Sequence, residues 1–334
     1  MTNTPTADIE RTVAQIGRLA EAGCEIVRVA VPDEAAAQAI GKIKARVSIP
    51  VIADIHFDHR LAIRAVEAGA DGLRINPGNI GSKARVRVVA DCARHHGIAI
   101  RIGVNAGSLE KSLRDTHGGA TADAMVESAL RSIDLMHDFG FEALKISLKA
   151  SDVQRTVQAY RLLSTKTDLP FHIGVTEAGG LFAGIVKSSL GIGMLLADGI
   201  GDTLRVSLTR DPVEEVRVGY EILKALEIRR RGPEIISCPT CGRCNINLFD
   251  IAEAVERALI TSTAPIKVAI MGCMVNGPGE AKEADIGIAG GDGVGILFKK
   301  GKVVKKISQA QLLPALLAEI EKISAEHRNP SADD

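Results

Sequence analysis

The 334-residue chain lacks an excess of charge of one sign, a long apolar run and an N-terminal signal pattern, each of which is typical of a large class of proteins. It has no net charge, with 41 basic and 41 acidic residues, which argues against a bulk nucleic-acid or anionic-membrane partner. It has no apolar run long enough for a membrane span, since the richest stretch, residues 181–200, contains Lys187, Asp198 and several glycines. Its N-terminus shows no signal pattern. These absences predict a cytoplasmic protein that recognises an anion only through local clusters of charge.

Cysteine is scarce, but four of the six cysteines fall in two short segments near the C-terminus. Cys238, Cys241 and Cys244 are spaced three residues apart, and Cys273 begins a segment rich in glycine and proline that ends at Glu280. In a reducing compartment, clustered cysteines indicate metal or redox chemistry rather than disulfides. The C-x3-C-x2-C spacing of enzymes that cleave adenosylmethionine is absent, which argues against that class.

The first 230 residues alternate short apolar runs with helical patterns. The seven apolar runs span residues 25–31, 51–57, 72–76, 98–105, 143–149, 171–176 and 202–208. Helical patterns lie between them, among them residues 9–22, 34–45, 59–68, 121–139, 151–165 and 178–198. Strands that alternate with helices predict βα units and a parallel sheet.

The fold class that we predict is α/β: a TIM (β/α)8-type barrel in residues 1–230 whose first strand is missing from this chain. A closed barrel has eight strands, whereas only seven apolar runs are found and the first recognisable element is a helix. One alternative is a barrel that is open at one seam. The other is an open doubly wound sheet, but the chain has no Gly-x-Gly-x-x-Gly fingerprint to support it.

Residues 231–334 are predicted to form a small α+β domain that carries the clustered cysteines. A boundary is expected at residues 227–237, where three arginines precede Gly-Pro. The expected elements are a helix at residues 248–259, strands at 266–271, 285–289 and 295–299, a further strand at 302–307 and a final helix at 309–323. The last two strands are expected to pair as a hairpin.

Basic residues recur on one face of the predicted barrel strands. Side chains two apart in a strand share a face, and by this rule Arg, Lys or His alternates with Val, Ile and Leu on all seven strands. The outward face of a parallel barrel is apolar, so the polar residues point inward at the C-terminal strand ends, where barrel enzymes have their active sites. Unpaired buried cations are unfavourable, so these residues need an anionic ligand such as a phosphorylated group. The cations are Arg28, Arg74, Arg101, Lys149 and Arg205.

Spacing alone leaves three interpretations of the cysteines open. A structural zinc site or an electron-transfer 4Fe–4S cluster would use all four cysteines. A catalytic cluster would leave one iron without a thiolate, so that substrate can bind there. Glu280 is then a candidate for an exchangeable ligand, because a carboxylate binds iron more weakly than a thiolate does. The alternative for Glu280 is an ordinary surface glutamate in a turn.

Along essentially its whole length, the chain closely resembles the 4-hydroxy-3-methylbut-2-enyl diphosphate synthase family. The resemblance lies in six segments that begin at residues 1, 53, 74, 199, 237 and 272: Met-Thr-Asn-Thr, Ala-Asp-Ile-His-Phe, Arg-Ile-Asn-Pro-Gly-Asn-Ile-Gly, Gly-Ile-Gly-Asp-Thr-Leu-Arg-Val-Ser, Ser-Cys-Pro-Thr-Cys-Gly-Arg and Gly-Cys-Met-Val-Asn-Gly-Pro-Gly-Glu. It implies a TIM barrel followed by a 4Fe–4S domain. It also implies reductive ring opening of 2-C-methyl-D-erythritol 2,4-cyclodiphosphate, with two electrons taken up and one water lost, on the methylerythritol phosphate route to isoprenoids.

The resemblance further implies which residues form the site. The cluster ligands would be Cys238, Cys241, Cys273 and Glu280. The catalytic residues would be Glu177, as proton donor, and His56. The substrate-binding residues would be Arg28, Asp54, Arg74, Asn76, Arg101, Asn105, Lys149, Thr176, Arg205 and Ser207.

The family also implies flavodoxin or ferredoxin as the electron donor, and a homodimer in which the cluster of one subunit lies over the barrel of the other. The chain departs from the family in two respects. It lacks the strand before Met1, and it has Cys244 where the family more usually has another residue, which keeps an all-cysteine centre open. The alternative function is a barrel protein, stabilised by zinc or a cluster, that binds a phosphorylated ligand without redox catalysis.

Overall fold

The computed structural model describes residues 1–260, 262–274, 279 and 281–328. The chain forms two compact units, Met1–Ile228 and a second unit that begins at Arg229. Within the described residues, none of the helices combines the length and the apolar character that crossing a membrane requires.

The first unit alternates strands and helices. Its strands are β1 (Val27–Ala30), β2 (Val51–Asp54), β3 (Gly72–Ile75), β4 (Ala99–Asn105), β5 (Leu144–Lys149), β6 (His172–Ile173) and β7 (Thr203–Leu204). Its helices are α1 (Ile9–Glu21), α2 (Glu34–Lys44), α3 (His59–Glu67), α4 (Pro77–Ile80), α5 (Lys83–His95), α6 (Lys111–Thr116), α7 (Ala122–Asp138), α8 (Val153–Ser164), α9 (Leu181–Ala197) and α10 (Pro212–Ala225), with a 3-10 turn at Ala106–Ser108. The seven predicted strands are confirmed.

The strands of the first unit are parallel and follow chain order. β1 to β5 form one sheet in the order β1-β2-β3-β4-β5, and β6 pairs with β7. A parallel bridge between Ile146 and Phe171 links β5 to the segment that enters β6. The first residues of the chain lie beside β1, because the Thr2 amide donates a hydrogen bond to the Arg28 carbonyl at 3.1 Å. This order, with a helix after each of the seven strands, is that of a (β/α) barrel.

Local sequence explains why the helices begin where they do. Asp8, Asp33, Asp58 and Asp152 each accept a backbone N–H hydrogen bond at the start of α1, α2, α3 and α8. An aspartate in this position satisfies a helix N–H group and interacts favourably with the helix dipole. Outward-facing strand residues such as Val29 are buried against these helices. The inward-facing positions are therefore left for polar side chains.

The second unit is a mixed sheet covered by two helices. Its strands are β8 (Glu234–Ser237), β9 (Lys267–Met271), β10 (Ile286–Ala289), β11 (Val294–Lys299) and β12 (Lys302–Ser308), in the order β12-β11-β10-β9-β8. Helices α11 (Leu248–Leu259) and α12 (Leu312–Arg328) contribute Leu248, Val255, Leu316 and other apolar residues to a core with one face of the sheet. β11 and β12 form the predicted antiparallel hairpin.

Two predictions for this unit need correction. Residues 227–237 are not all boundary, because Glu234–Ser237 form β8 and pair in parallel with β9. The final helix extends beyond residue 323, since α12 runs from Leu312 to Arg328 after a 3-10 turn at Gln309–Gln311.

Candidate active site

Two arginines, a histidine and a carboxylate lie close together on and just after β1, β2 and β3. Asp54 Oδ1 accepts a hydrogen bond from Arg74 Nη1 at 3.2 Å, and its Oδ2 lies 3.5 Å from Arg28 Nε and 3.6 Å from His56 Nε2. Burial alone would raise the pKa of Asp54, but the adjacent His56 ring and the charges of Arg28 and Arg74 lower it below the ordinary 3.8. Asp54 is therefore ionised, and it fixes two guanidinium groups in place.

A glycine provides the space for Arg74. The position of β4 that faces this side chain is Gly103, and a Cβ there would collide with the Arg74 guanidinium. Arg74 Nη2 also donates a hydrogen bond to the Gly103 carbonyl at 3.4 Å. Close approach to backbone is one of the physical reasons for glycine within a strand. Gly103 is thus part of the site, although it bears no side chain.

Three further basic residues belong to the neighbouring strands: Arg101 lies within β4, Lys149 ends β5 and Arg205 directly follows β7. Arg101 is 8% exposed and Lys149 5% exposed. Within the part of the chain that the structure describes, Arg101 Nε, Lys149 Nζ and Arg205 Nε have no hydrogen-bond partner. Each buried donor of this kind destabilises the folded protein by about 1–3 kcal/mol unless a ligand pairs with it. Their arrangement is that of an anion site.

Burial and mutual repulsion lower the pKa values of these cations. Burial lowers the pKa of Lys149 well below its ordinary value, and the charges of Arg205 and Arg101 lower it further. The pKa of Arg101 is lowered by burial and by Arg28 and Arg74. The pKa of Arg28 falls to about 10, mainly by burial and in spite of Asp54. An anionic ligand would reverse these shifts, because it favours the charged form of each group.

Sequence patterns gave no sign of two residues that support the site. Tyr160 on α8 is fully buried; its hydroxyl donates to the His172 carbonyl at 2.5 Å and accepts from the Leu148 amide at 3.0 Å. It therefore holds β5 and β6 together just below Lys149. Glu215 on α10 accepts from the Leu208 amide at 2.9 Å and so fixes the segment after Arg205. Both lie in amphipathic helices, where the spacing of apolar residues does not indicate that one side chain bonds to a strand or loop.

The remaining predicted residues lie at the same strand ends. Asn76 follows β3, and its Oδ1 accepts from the Gly78 amide at 3.1 Å, so its side chain caps α4. Asn105 ends β4 opposite Lys149 of β5. The Thr176 amide donates to the Ala150 carbonyl at 3.1 Å. Ser207 is half-buried, two residues past Arg205.

Glu177 has an unusual backbone conformation. Its φ is 52°, in the left-handed region that residues other than glycine rarely adopt. Its side chain is exposed, and it directly follows Thr176. Strain of this kind, of order 1–3 kcal/mol, persists where surrounding structure enforces it and is concentrated at functional sites.

In the second unit, two strand ends bring cysteines together. Cys238 follows β8, and its amide donates to the Ile270 carbonyl at 3.4 Å. Gly272 follows β9, directly before Cys273, and its amide donates to Cys238 Sγ at 3.2 Å. The Asn245 amide donates to the Gly272 carbonyl at 3.1 Å, which brings the end of the cysteine run to the same point.

Two cysteine sulfurs lie beside Gly272. A Cβ built on it would lie 2.6 Å from Cys244 Sγ and 3.5 Å from Cys238 Sγ. Cys241 is exposed, whereas Cys238, Cys244 and Cys273 are half-buried. Within the described ranges, no three His, Cys, Asp or Glu side chains are close enough together to hold one metal ion. Glu280 lies outside the described residues.

The donor set nevertheless fits an iron–sulfur group. Three thiols spaced three residues apart and a fourth on the adjacent strand end are soft ligands, and thiolates hold such clusters. The amide of Gly272 already donates to one of these sulfurs, and hydrogen bonds to sulfur are among the features that tune a cluster. Two of the sulfurs meet at a position where only glycine leaves room.

Fold and site together define a barrel enzyme with an anion site at its strand ends, joined to a cysteine-bearing α+β domain. The family model of the GcpE TIM-barrel domain matches residues 1–220, and that of the GcpE protein C-terminal domain matches residues 234–322. The chain belongs to the GcpE family.

Curated relatives are similar over nearly the whole chain. The 4-hydroxy-3-methylbut-2-en-1-yl diphosphate synthase (flavodoxin) of Geobacter sulfurreducens is 60% identical over 326 residues, which cover 98% of this chain and 92% of the relative. The proteins of the same name from Desulfotalea psychrophila and Caldanaerobacter subterraneus are 59% and 58% identical. Those matches cover 98% of this chain in both cases, and 91% and 92% of the relatives. The predicted family and the predicted TIM barrel with a small second domain are confirmed.

Proposed function

We propose that this protein catalyses the reductive ring opening and dehydration of 2-C-methyl-D-erythritol 2,4-cyclodiphosphate to 4-hydroxy-3-methylbut-2-enyl diphosphate. The observation that carries the proposal is the group of buried cationic nitrogens on the barrel strands for which the described residues offer no hydrogen-bond partner. Such nitrogens require a polyanion, and a cyclic diphosphate is one. Family membership and the name of relatives that are 58–60% identical support this choice of substrate and of reaction.

Substrate binding would depend on two sets of cations. Arg101, Lys149 and Arg205 would donate to the diphosphate oxygens, at about 1.5–3 kcal/mol for each charge-assisted bond. Arg28 and Arg74 are held by Asp54 before ligand arrives, so little ordering entropy is lost on binding. Asn76, Asn105, Thr176 and Ser207 would complete the contacts from neighbouring strand ends.

Loss of water requires a proton, and Glu177 is the residue that we propose to supply it. Glu177 lies four residues past β6, its side chain is exposed, and its backbone is held in a left-handed conformation, so its carboxyl group is available to a bound ligand. His56, 3.6 Å from Asp54, would serve as the second acid–base group. Glu177→Gln is expected to lower kcat about 100-fold or more with little change in substrate affinity, as general acid catalysis predicts. A parallel loss of affinity would instead assign Glu177 to binding.

Cys238, Cys241, Cys273 and Glu280 would hold a 4Fe–4S cluster. When bound, such a cluster supplies electrons and a Lewis-acidic iron. The amide of Gly272 would donate to the thiolate of Cys238 in the loaded protein as it does to the thiol. Cys244 is close to the same point but stays outside the proposed ligand set.

Anaerobic turnover tests the whole proposal. Protein purified without oxygen would be analysed for iron, sulfide and zinc, then supplied with the cyclodiphosphate and reduced methyl viologen. We expect a brown iron-containing protein and release of 4-hydroxy-3-methylbut-2-enyl diphosphate, identified by mass spectrometry. A colourless zinc protein that binds the cyclodiphosphate fully but forms no product would overturn the proposal in favour of a binding protein without redox catalysis.

The proposal extends to partner and compartment. Flavodoxin is the electron donor that the names of the relatives support, with ferredoxin as the alternative. A homodimer is expected from the family and is measured directly by sedimentation velocity. A cytoplasmic location follows from the same proposal, because reduced thiols and a reduced carrier protein require a reducing compartment.

A further inference from the structure

The edge of the sheet in the second unit bears a concentration of positive charge. Five lysines lie in eight residues of the β11–β12 hairpin, which we call the lysine hairpin; they are Lys299, Lys300, Lys302, Lys305 and Lys306. Residues 286–311 contain a single carboxylate, that of Asp292. In a chain with no net charge, this segment is a local exception.

Four of these lysines are exposed and uncompensated. Lys299 pairs with Glu319 of α12 at 2.6 Å. Lys300, Lys302, Lys305 and Lys306 are exposed, and none of them forms an ion pair with any residue that the structure describes. The cations that we assign to substrate binding belong to the first unit, so the lysine hairpin is not among them.

The register of the sheet relates the lysine hairpin to the cysteines. One row of paired residues runs from Ser237 through Ile270, Ile288 and Leu297 to Lys305. The next row runs from Met271 through Ala289 and Ile296 to Lys306. Ser237 precedes Cys238, and Met271 lies two residues before Cys273. Lys305 and Lys306 therefore lie level with the strand ends that carry the cysteines.

The distance along this row is short. β12 is three strands from β9, and strands are spaced about 4.8 Å apart, so Lys306 is about 14 Å from Met271. Electrons tunnel over distances of this order between protein-bound centres. A carrier bound beside Lys305 and Lys306 would thus lie a few strand spacings from the strand ends that carry the cysteines.

We propose that the lysine hairpin is the docking surface for an acidic electron-carrier protein of the flavodoxin type; this inference rests on the proposed function. Encounters between redox partners bury small interfaces and depend on charge steering, which an exposed row of lysines supplies. Lysines on an edge strand also prevent edge-to-edge aggregation. If the lysines served only to prevent aggregation, replacing them would affect turnover equally with every reductant.

The test compares two reductants on the full-length, cluster-loaded protein. The Lys305→Glu/Lys306→Glu variant is compared with Lys42→Glu/Lys166→Glu, which makes the same charge change at exposed positions of the first unit. Turnover is driven either by reduced flavodoxin or by reduced methyl viologen, which needs no docking surface. We expect the KM for flavodoxin to rise about tenfold in the hairpin variant and to lose much of its salt dependence, as expected for removed steering charges.

With methyl viologen, the hairpin variant should turn over within about twofold of the unmodified protein, and the control variant should behave normally with both reductants. An unchanged KM for flavodoxin, or an equal loss with both reductants, would overturn the inference. If the Lys305→Glu/Lys306→Glu variant aggregates, the Lys305→Gln/Lys306→Gln variant replaces it, and its KM for flavodoxin and its turnover with methyl viologen are judged in the same way. Absence of viologen-driven turnover in the unmodified protein would instead contradict the proposed function.

Discussion

Arg74 and Asp54 are direct partners across neighbouring parallel strands. They are paired in the register of β2 and β3, and Arg74 Nη1 donates to Asp54 Oδ1 at 3.2 Å with both side chains almost fully buried. Arg28, on the strand at the other side of β2, lies 3.5 Å from the second carboxylate oxygen. One carboxylate thus compensates two cations of a site that otherwise carries an excess of positive charge.

Asp54→Asn is therefore expected to destabilise the ligand-free protein by about 3 kcal/mol, because removing one member of a buried ion pair leaves the others uncompensated. Thermal unfolding measures the change. The control is Asp211→Asn, which removes an exposed pair with Arg18 at 2.9 Å but keeps a side chain that can cap α10. It should cost less than about 1 kcal/mol. Equal effects of the two substitutions would contradict a special role for Asp54.

The same carboxylate predicts a pH dependence of stability. The pKa of Asp54 in the folded protein lies below its ordinary value of 3.8, so the unfolded chain binds the proton more readily. Its contribution to stability is then complete above about pH 5 and is lost as pH falls through about 4 and below. The difference in unfolding temperature between the unmodified protein and Asp54→Asn should shrink over that range. A difference that is constant from pH 7 to pH 3 would show that its origin is not ionic.

Lys149 is expected to destabilise the ligand-free protein and to strengthen binding of the cyclodiphosphate. Replacing a buried unpaired cation by an apolar residue of similar size is expected to stabilise the ligand-free protein by about 1–3 kcal/mol. Lys149→Met should therefore unfold at a higher temperature and bind the cyclodiphosphate at least about tenfold more weakly, at one lost charge-assisted bond. Calorimetry measures both quantities. Lys42→Met, at an exposed position of α2, should change neither. Destabilisation by Lys149→Met would mean that Lys149 has a structural partner.

The two candidates for the fourth cluster ligand are separable by substitution. If Cys238, Cys241, Cys273 and Glu280 hold the cluster, Cys244→Ser should retain iron and sulfide at the unmodified level, whereas Glu280→Gln should lose turnover and hold the cluster more weakly. Iron analysis and the electron paramagnetic resonance spectrum of the reduced protein are the measurements. Cys92→Ser on α5 is the matched control for removal of a half-buried thiol. Loss of iron from Cys244→Ser alone would assign the ligand to Cys244.

Much of the barrel was predictable because its signals are local. Apolar runs of five to eight residues and aspartate caps recur in chain order, and side-chain alternation identifies the inward face on which Asp54 and Arg74 meet. Parallel pairing of successive strands then brings their C-terminal ends together without any information about distant contacts. For this reason the alternation of side chains along each strand is enough to predict which cations belong to the candidate site.

Other features of the fold and site depend on contacts between residues distant in sequence, so local sequence patterns do not predict them. β8 is only Glu234–Ser237 and follows an arginine-rich segment, so its sequence indicates a boundary, and only its pairing with β9 makes it a strand. The role of Tyr160 follows from hydrogen bonds to two different strands. Cysteine spacing indicated a metal site, but only the folded chain brings Cys244 Sγ next to Gly272.

The space beside Gly272 provides a last prediction. A methyl group there would lie 2.6 Å from Cys244 Sγ, too close for either group to remain in place, and 3.5 Å from Cys238 Sγ, which is ordinary contact. Gly272→Ala is therefore expected to displace the cysteine run and to lower the iron content after anaerobic reconstitution. Adding Cys244→Ala removes the colliding sulfur, so the double variant should regain most of the iron, in the non-additive manner of residues in contact. Iron and sulfide analysis of the two single variants and the double variant measures this coupling. Additive losses would mean that Gly272 is required for its backbone alone and that the two positions act independently.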